Sequence, residues 1–293
     1  MQNTIPVTLL EFLNYSTKLL NNKNIKDSRL NVELMLCDVL KCERMNLYMN
    51  FEKPLSKEEI KKFKEYLKRR LVNEPLQYIL GKTSFYGLDF VVNKNVLIPR
   101  PETELIVEKI LAEIKISKKT EVTIFEIGCG SGCISIALAK NLELEHVKFN
   151  IFSIDISRGA VEVANQNLRL NNLENSKVKF YSKDVFEIDN LTKAFDYIAS
   201  NPPYIPLNEF KELESEVKDY EPDLALTDFG EGIKFFEKIF SIAADKKFIG
   251  KVFCEIGFGQ RSKLEALLSE KKFTDYSFHK DYNGIDRILE VRK

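Results

Sequence analysis

The run Asn201-Pro202-Pro203-Tyr204 joins residue types suited to gripping a planar NH2 group. Pro202 and Pro203 remove two backbone donors and stiffen the chain, which leaves carbonyls free to face a ligand. Asn201 brings an amide with one acceptor oxygen and one NH2 group, and Tyr204 brings a flat ring and a hydroxyl. The Asn201 side-chain oxygen and the Pro202 carbonyl can each accept one N–H of such a group, with Tyr204 packed on its plane. A second constellation is Glu126-Ile127-Gly128-Cys129-Gly130-Ser131-Gly132. Its three glycines permit a tight turn and close approach of the backbone to a ligand. The spacing is not the GxGxxG fingerprint, since position 133 is Cys, and the Gly-Lys-Ser/Thr ending of a P-loop is missing.

Asp155 closes the next apolar run, 23 residues after Gly132. A carboxylate there can accept hydrogen bonds from both ribose hydroxyls of an adenosine-bearing ligand. An acid at a strand end also serves as a helix cap, a task for which Ser157 is equally close. Asp184-Val185-Phe186 lies past the following strand, where an adenine ring would fall between apolar side chains. A Val-Phe pair is also ordinary core.

These residues need a frame that brings them together. From residue 122 onward the chain alternates apolar runs with helical periodicity. Strands are expected over 122–127, 147–154, 178–182, 195–200 and 251–256. Helices are expected over 131–142, 157–171, 232–243 and 262–268. Two closing strands, 273–279 and 285–291, are joined by a turn at 281–284. Such alternation predicts an α/β fold, a mostly parallel Rossmann-like sheet covered on both faces, with a C-terminal antiparallel hairpin at its edge. Pro101 suits the first position of a helix, with Glu102 and Glu104 near its positive end. Ahead of it, strands over 85–92 and 96–98 are expected, with the turn at 93–95.

The first 84 residues read as a small all-helical bundle. Helices are expected over 7–20 and 30–40, and a third starts at Ser56, which forms a capping box with Glu59. In that helix Ile60, Phe63, Leu67 and Leu71 form the buried stripe, while Lys61, Lys62, Lys64 and Lys68 point to water. The expected division is therefore 1–84 as a helical substrate-recognition domain, 85–100 as a hairpin linker and 101–293 as the domain of the glycine turn.

Composition bounds the function. Lys+Arg and Asp+Glu are both 44, so there is no basic excess of the kind nucleic-acid binders carry. The charge is uneven: 15 basic against 10 acidic residues in 1–84, and 29 against 34 in the rest. The basic front can meet an acidic partner or RNA, or be a solvated helix surface. Five cysteines without CxxC spacing and two histidines argue against a zinc site or a disulfide framework, and for reduced thiols in a cytoplasmic protein. Residues 1–6 lack a basic signal-peptide start, and no apolar run reaches the length of a membrane span.

With these residues in hand, the chain resembles the class I S-adenosylmethionine-dependent methyltransferases, and among them the release-factor glutamine methyltransferases (HemK/PrmC family). The segments that carry the resemblance are EPLQYILG (74–81), VLIPRPETE (96–104), EIGCGSGCISIALA (126–139), SNPPYI (200–205), YEPDLAL (220–226), EIGFGQ (255–260) and GIDR (284–287). The resemblance implies a helical N-terminal domain joined by a β-hairpin to a methyltransferase domain. It implies S-adenosyl-L-methionine as cofactor, S-adenosyl-L-homocysteine as product, and no metal. It places Gly128, Cys129, Gly130, Ser131 and Gly132 along the methionine part, Asp155 on the ribose, and Asp184 and Val185 near the adenine. Asn201 would touch both cofactor and substrate, and Asn201, Pro202, Pro203 and Tyr204 would hold the target glutamine, with Asn201 and Pro202 as the catalytic pair. Two positions depart from the family's usual residues: Glu126 stands where Asp is common, and Val185 where Trp is common.

The expected reaction is methyl transfer to the side-chain amide nitrogen of the glutamine in the Gly-Gly-Gln loop of peptide-chain release factors. The expected enzyme is a monomer with a protein partner, no membrane and no nucleic-acid substrate. An adenine-N(6) nucleic-acid methyltransferase is the alternative, because an exocyclic amine presents the same planar NH2. It would call for base extrusion and a basic cleft. A ribosomal-protein glutamine methyltransferase and a non-catalytic cofactor-binding module are the further rivals. PRPETE (99–104) speaks against the first, and the intact NPPY loop against the second.

Overall fold

The computed structural model describes residues 8–173 and 176–293. Val7, the expected start of the first helix, and the polar opening 1–6 lie outside the described residues. The chain forms two compact units, one of residues 1–81 with 215–220, the other of 82–214 with 221–293.

The first unit is helical: Leu9–Asn21, Ser28–Leu40, Arg44–Met49, Lys57–Arg70 and Leu76–Leu80. Capping boxes start two of these, Thr8 with Glu11 and Ser56 with Glu59. Each box satisfies amide donors that a helix start leaves unpaired. Leu13, Leu20, Val32, Met35, Leu36, Leu47 and Phe63 are fully buried, with the Phe12 and Phe63 rings edge to face at 5.0 Å. Lys62 keeps its side chain 40% exposed and is also tied to the neighbouring helix. Its Nζ binds Asp38 Oδ2 at 3.0 Å, beside the Tyr66 hydroxyl on the same oxygen at 2.8 Å.

The helical unit also differs from the expected 1–84 by including residues 215–220. Buried Arg70 donates to Asn31 Oδ1 (2.7 Å), the Glu74 carbonyl (2.9 Å) and Glu216 Oε2 (2.6 Å). Asn73 reaches Ser215 Oγ at 2.9 Å, and the Tyr220 hydroxyl donates to the Val72 carbonyl. Local periodicity carries no trace of partners some 140 residues away.

The second unit begins with a hairpin, β1 Lys82–Phe85 and β2 Leu88–Val91. The expected turn at 93–95 is present, closed by the Val96 N–H on the Asn93 carbonyl at 3.1 Å, but it joins no pair of strands. The chain reverses at Tyr86-Gly87, both at positive φ (51° and 73°), the geometry a two-residue hairpin turn requires. Residues 96–98 form no strand. The Asn167 amide bonds both the N–H and the C=O of Val91, at 2.7 and 3.0 Å, and so docks the hairpin on its own helix.

Then follow β3 Glu121–Ile127, β4 Lys148–Asp155, β5 Val178–Ser182, β6 Tyr197–Ser200, β7 Lys251–Glu255, β8 Asp275–Lys280 and β9 Asp286–Arg292. They make one seven-stranded sheet in the order β5-β4-β3-β6-β7-β9-β8. β3 to β7 are parallel, and β9 runs antiparallel between β7 and β8.

Side chains alternate along β3. Val122 and Ile124 join a core with helices Glu104–Ser117, Cys133–Leu144 and Arg158–Leu170. Phe125 and Ile127 join the opposite core with helices Lys234–Ala243 and Arg261–Glu270. Both faces are covered, as a parallel sheet requires. Leu207–Phe210 and Asp223–Leu226 are one-turn helices too short for a sequence period to register. All five cysteines are free thiols.

Candidate functional site

The chain runs from β3 outward to β4 and β5 on one side, and returns to β6 and β7 on the other. The carboxyl ends of β3 and β6 therefore flank a topological switch point, where open α/β sheets hold their ligands. A cavity of about 400 Å³ opens there, lined wholly by the second unit.

The glycine turn divides its work. Gly128, Cys129, Gly130 and Ser131 line the cavity. Gly130 sits at φ +51°, and a Cβ built on it would meet nothing within 4 Å, so open space lies against the backbone. Gly132 does not line the cavity. A Cβ there would come within 3.0 Å of Phe180 and 3.1 Å of Ala164, so this glycine lets the turn pack on β5 and on helix Arg158–Leu170.

Asp155, at the end of β4, lines the cavity and accepts the Gly130 N–H on Oδ2 (2.8 Å) and the Ser157 N–H on Oδ1 (2.9 Å). Burial raises its pKa, opposed by these two backbone donors. Ser157 caps the following helix, accepting the Ala160 N–H. Asp155 is thereby left with lone pairs for a ligand.

Glu126 lines the cavity from within the sheet and is 1% exposed. Its Oε2 takes the Ser135 hydroxyl, which is 2.7 Å from the Ser153 hydroxyl. Its Oε1 is buried without a partner among the described residues. Burial pushes its pKa up to about 8. An unpaired carboxylate oxygen on a cavity wall is a seat for a cation.

Asp184, Val185 and Phe186 line the far end. Asp184 Oδ1 accepts the Phe186 N–H at 2.9 Å and so caps the short turn Val185–Glu187. Val185 belongs at once to the core and to the cavity wall. The Phe186 ring lies 5.2 Å from Phe235, with Lys234 Nζ 4.8 Å from its centroid.

Asn201, Pro202 and Pro203 line the near end, at the tip of β6. Ser200 ties that tip to β3 through the Ile127 carbonyl at 2.7 Å. Asn201 Nδ2 donates to Thr103 Oγ1 at 3.0 Å. Tyr204 departs from expectation, for it is not among the residues lining the cavity. Its hydroxyl donates to Glu255 Oε1 (2.9 Å), and its carbonyl accepts from Gln260 Nε2 (2.8 Å). Burial drives its hydroxyl pKa far up, with the Glu255 charge adding to the effect. The ring anchors the loop from behind.

Sequence reasoning passed over the residues that hold the rim. Glu221, nearly fully buried, takes Arg100 on Oε1 and the Ile98 N–H on Oε2 (3.0 Å). This joins VLIPRPETE to YEPDLAL. Asp228 gathers the N–H groups of Gly230, Gly232 and Lys234 at 2.8 to 3.0 Å. Glu221 stands inside YEPDLAL, but its partners lie more than 120 residues away in sequence, and Asp228 belongs to none of the motifs above. Removing one side of a buried, hydrogen-bonded ion pair is costly, though Arg100 is one-third exposed. Glu221→Ala is expected to lower unfolding stability by about 2–3 kcal/mol. A urea midpoint equal to wild type would show that the rim does not depend on it.

Residues 11–81 match the PrmC N-terminal domain, and residues 118–254 match a methyltransferase domain. The chain is 37% identical to the release factor glutamine methyltransferase of Fusobacterium nucleatum, over 97% of this chain and 78% of that one. It is 36% identical to that of Geobacter sulfurreducens (97% and 96% covered) and 34% identical to that of Bacillus subtilis (96% of each). Among solved structures it resembles the hMettl16 catalytic domain in complex with a MAT2A 3'UTR hairpin. There the TM-score is 0.53 at 15% identity, covering 83% of this chain and 84% of that one. The delta-N METTL16 methyltransferase domain gives a TM-score of 0.51 at 17% identity, covering 71% and 89%. These two likenesses concern the fold alone.

Proposed function

The chain belongs to the release factor glutamine methyltransferases, and from that membership we propose how its residues carry out the reaction. The enzyme transfers a methyl group from S-adenosylmethionine to the side-chain amide nitrogen of a release-factor glutamine. Adenine methylation is not favoured, since relatives at 34–37% identity over nearly the whole chain are named release factor glutamine methyltransferases. The observation that carries our reading is the Asn201-Pro202-Pro203 loop on the wall of the same cavity as Gly128, Gly130 and Asp155.

The residues present fit the cofactor. Glu126 Oε1, buried and unpaired, suits the ammonium of the methionine part. Gly128 to Ser131 leave room along their backbone, Asp155 has lone pairs for the ribose hydroxyls, and Ile156, Val185 and Phe186 offer apolar surface to the adenine. With Val at 185, and no Trp in the chain, the aromatic surface at this end comes from Phe186. The group supplies a methyl on a sulfonium, already electrophilic enough that no side chain need activate it.

The protein's part is to orient the acceptor. An amide nitrogen is a weak nucleophile because its lone pair is delocalised into the carbonyl. Asn201 Oδ1 and the Pro202 carbonyl would each accept one of its N–H bonds and aim the nitrogen at the methyl group. Alignment of this kind can lower a barrier by about 7–11 kcal/mol in the best cases. The same two oxygens stabilise the positive charge that develops on the nitrogen. The product amide sheds its proton readily, so no general base is assigned. The enzyme is proposed to act as a monomer. Among the described residues no helix is long and apolar enough to cross a membrane. A cytoplasmic site of action follows from the release-factor substrate. Residues 1–81, together with the returning segment 215–220, are proposed to grip the release factor beyond its Gly-Gly-Gln loop.

The test is mass spectrometry of a bacterial release factor after incubation with the protein and S-adenosylmethionine. A gain of one methyl on the loop glutamine is expected. An unmodified factor, alongside methylated adenine in RNA or DNA, would replace this reading with the alternative.

Glu126 yields a pH-linked prediction. Alone, with a pKa of about 8, it is mostly protonated at pH 7. A cation beside it favours the charged form and lowers that pKa. Cofactor binding at pH 7 is therefore expected to release about one proton, falling toward zero well above pH 8. Calorimetry in buffers of different ionisation enthalpy reads this directly. Glu126→Gln should abolish the release, and a wild type that releases no proton would remove the ammonium from Glu126.

A further inference from the structure

We propose that Thr103, braced by Glu255, is a positioning residue that turns the Asn201 amide oxygen toward the cavity and so makes the enzyme select a carboxamide over a carboxylate. The inference rests on the substrate reading above and gives a task to PRPETE and EIGFGQ, two of the motifs that reading leaves idle.

The geometry is a chain of hydrogen bonds running inward from the cavity wall. Asn201 Nδ2 donates to Thr103 Oγ1 at 3.0 Å, and Thr103 Oγ1 donates to Glu255 Oε2 at 2.6 Å. Glu255 Oε1 takes the Tyr204 hydroxyl at 2.9 Å. Glu255 is 1% exposed and Thr103 3%. A threonine hydroxyl has one hydrogen, and here it is committed to Glu255. Only lone pairs remain on Oγ1 to face Asn201, and only an NH2 group can satisfy them. The choice between the two ends of the Asn201 amide is thus set by Glu255, through Thr103. Even when Glu255 carries a proton, placing it on Oε1 leaves Oε2 an acceptor and the direction unchanged.

The consequence is chemical. An amide oxygen aimed into the cavity attracts the N–H of a glutamine side chain. It repels the oxygen of a glutamate, whose best partner would be the NH2 now turned away. Burying that mismatch costs roughly 10- to 100-fold in affinity. Without Thr103 Oγ1 the Asn201 amide is free to rotate, and the discrimination should fade. Thr103 and Glu255 meet across 152 residues of sequence, which is why neither motif discloses the task alone.

The experiment compares wild type, Thr103→Val and Thr103→Ser. The first readout is binding of a release factor carrying its loop glutamine, and of the same factor with that glutamine replaced by glutamate, each with S-adenosylhomocysteine present. Wild type and Thr103→Ser are expected to prefer the glutamine form at least about tenfold, and Thr103→Val to lose most of that ratio. The second readout is the Asn201 side-chain NH2 signal in protein labelled with 15N-asparagine, identified by its loss in Asn201→Asp. One proton should lie downfield in wild type and Thr103→Ser and move in Thr103→Val. A Thr103→Val that turns over poorly yet keeps the wild-type glutamine-to-glutamate ratio overturns the proposal, as does an unmoved Asn201 signal. A wild type that shows the Thr103-dependent signal but leaves the release factor unmethylated sinks the substrate reading instead, and supports the positioning chain.

Discussion

Asn201→Ala is expected to lower turnover about 100- to 1,000-fold while leaving cofactor affinity within a few-fold of wild type. The expectation follows from where charge changes. In the ground state the glutamine nitrogen is neutral, and in the proposed site Asn201 Oδ1 would make an ordinary hydrogen bond to it. As the methyl group transfers, the nitrogen becomes positive and that bond strengthens. An interaction stronger in the transition state than in the ground state acts on kcat. Removing one preorganised partner at a reacting centre costs a factor of this size in other enzymes. The cofactor would keep its proposed contacts to Glu126, the glycine turn and Asp155, all on β3 and β4 and their loops, so its binding should persist. Single-turnover kinetics at saturating cofactor, with a separate calorimetric titration, resolve the two quantities. Wild-type turnover in the variant would take Asn201 out of the mechanism.

Asp155→Ala should instead weaken cofactor binding roughly 100-fold or more, with turnover largely recovered at saturating cofactor. Two losses combine. The proposed bonds from the ribose hydroxyls to a carboxylate are charge-assisted, the stronger kind of hydrogen bond. The Gly130 and Ser157 N–H groups also lose the acceptor they share. With Gly130 released, the turn that must approach the ligand is no longer held in place. Asp155→Asn keeps one acceptor oxygen and should fall between the two. The titration with S-adenosylmethionine measures the effect, and an affinity near wild type would move the ribose elsewhere in the cavity.

The linear sequence determined the architecture. β3, β4, β5 and β7 lie within two residues of their expected ends, because a strand buried on both faces is a run of apolar residues bounded by turn chemistry. It also placed the glycine turn, Asp155 and the NPPY loop at strand ends, since their meaning is local. The hairpin shows the limit of that reading. Tyr86-Gly87 and Asn93–Asn95 are both turns, and only the pairing of Lys82 to Val91 shows that the first of them joins the hairpin. Tertiary structure decided the rest. It drew Tyr204 off the cavity wall toward Glu255, set Gly132 to packing rather than lining, tied Arg100 to Glu221, and lent residues 215–220 to the helical unit. The hydrogen bonds among these contacts join residues from 51 to 148 positions apart. Side-chain period records which face of an element is buried. It carries no information on which distant polar atom completes a buried hydrogen bond, and in this protein those completions orient the site.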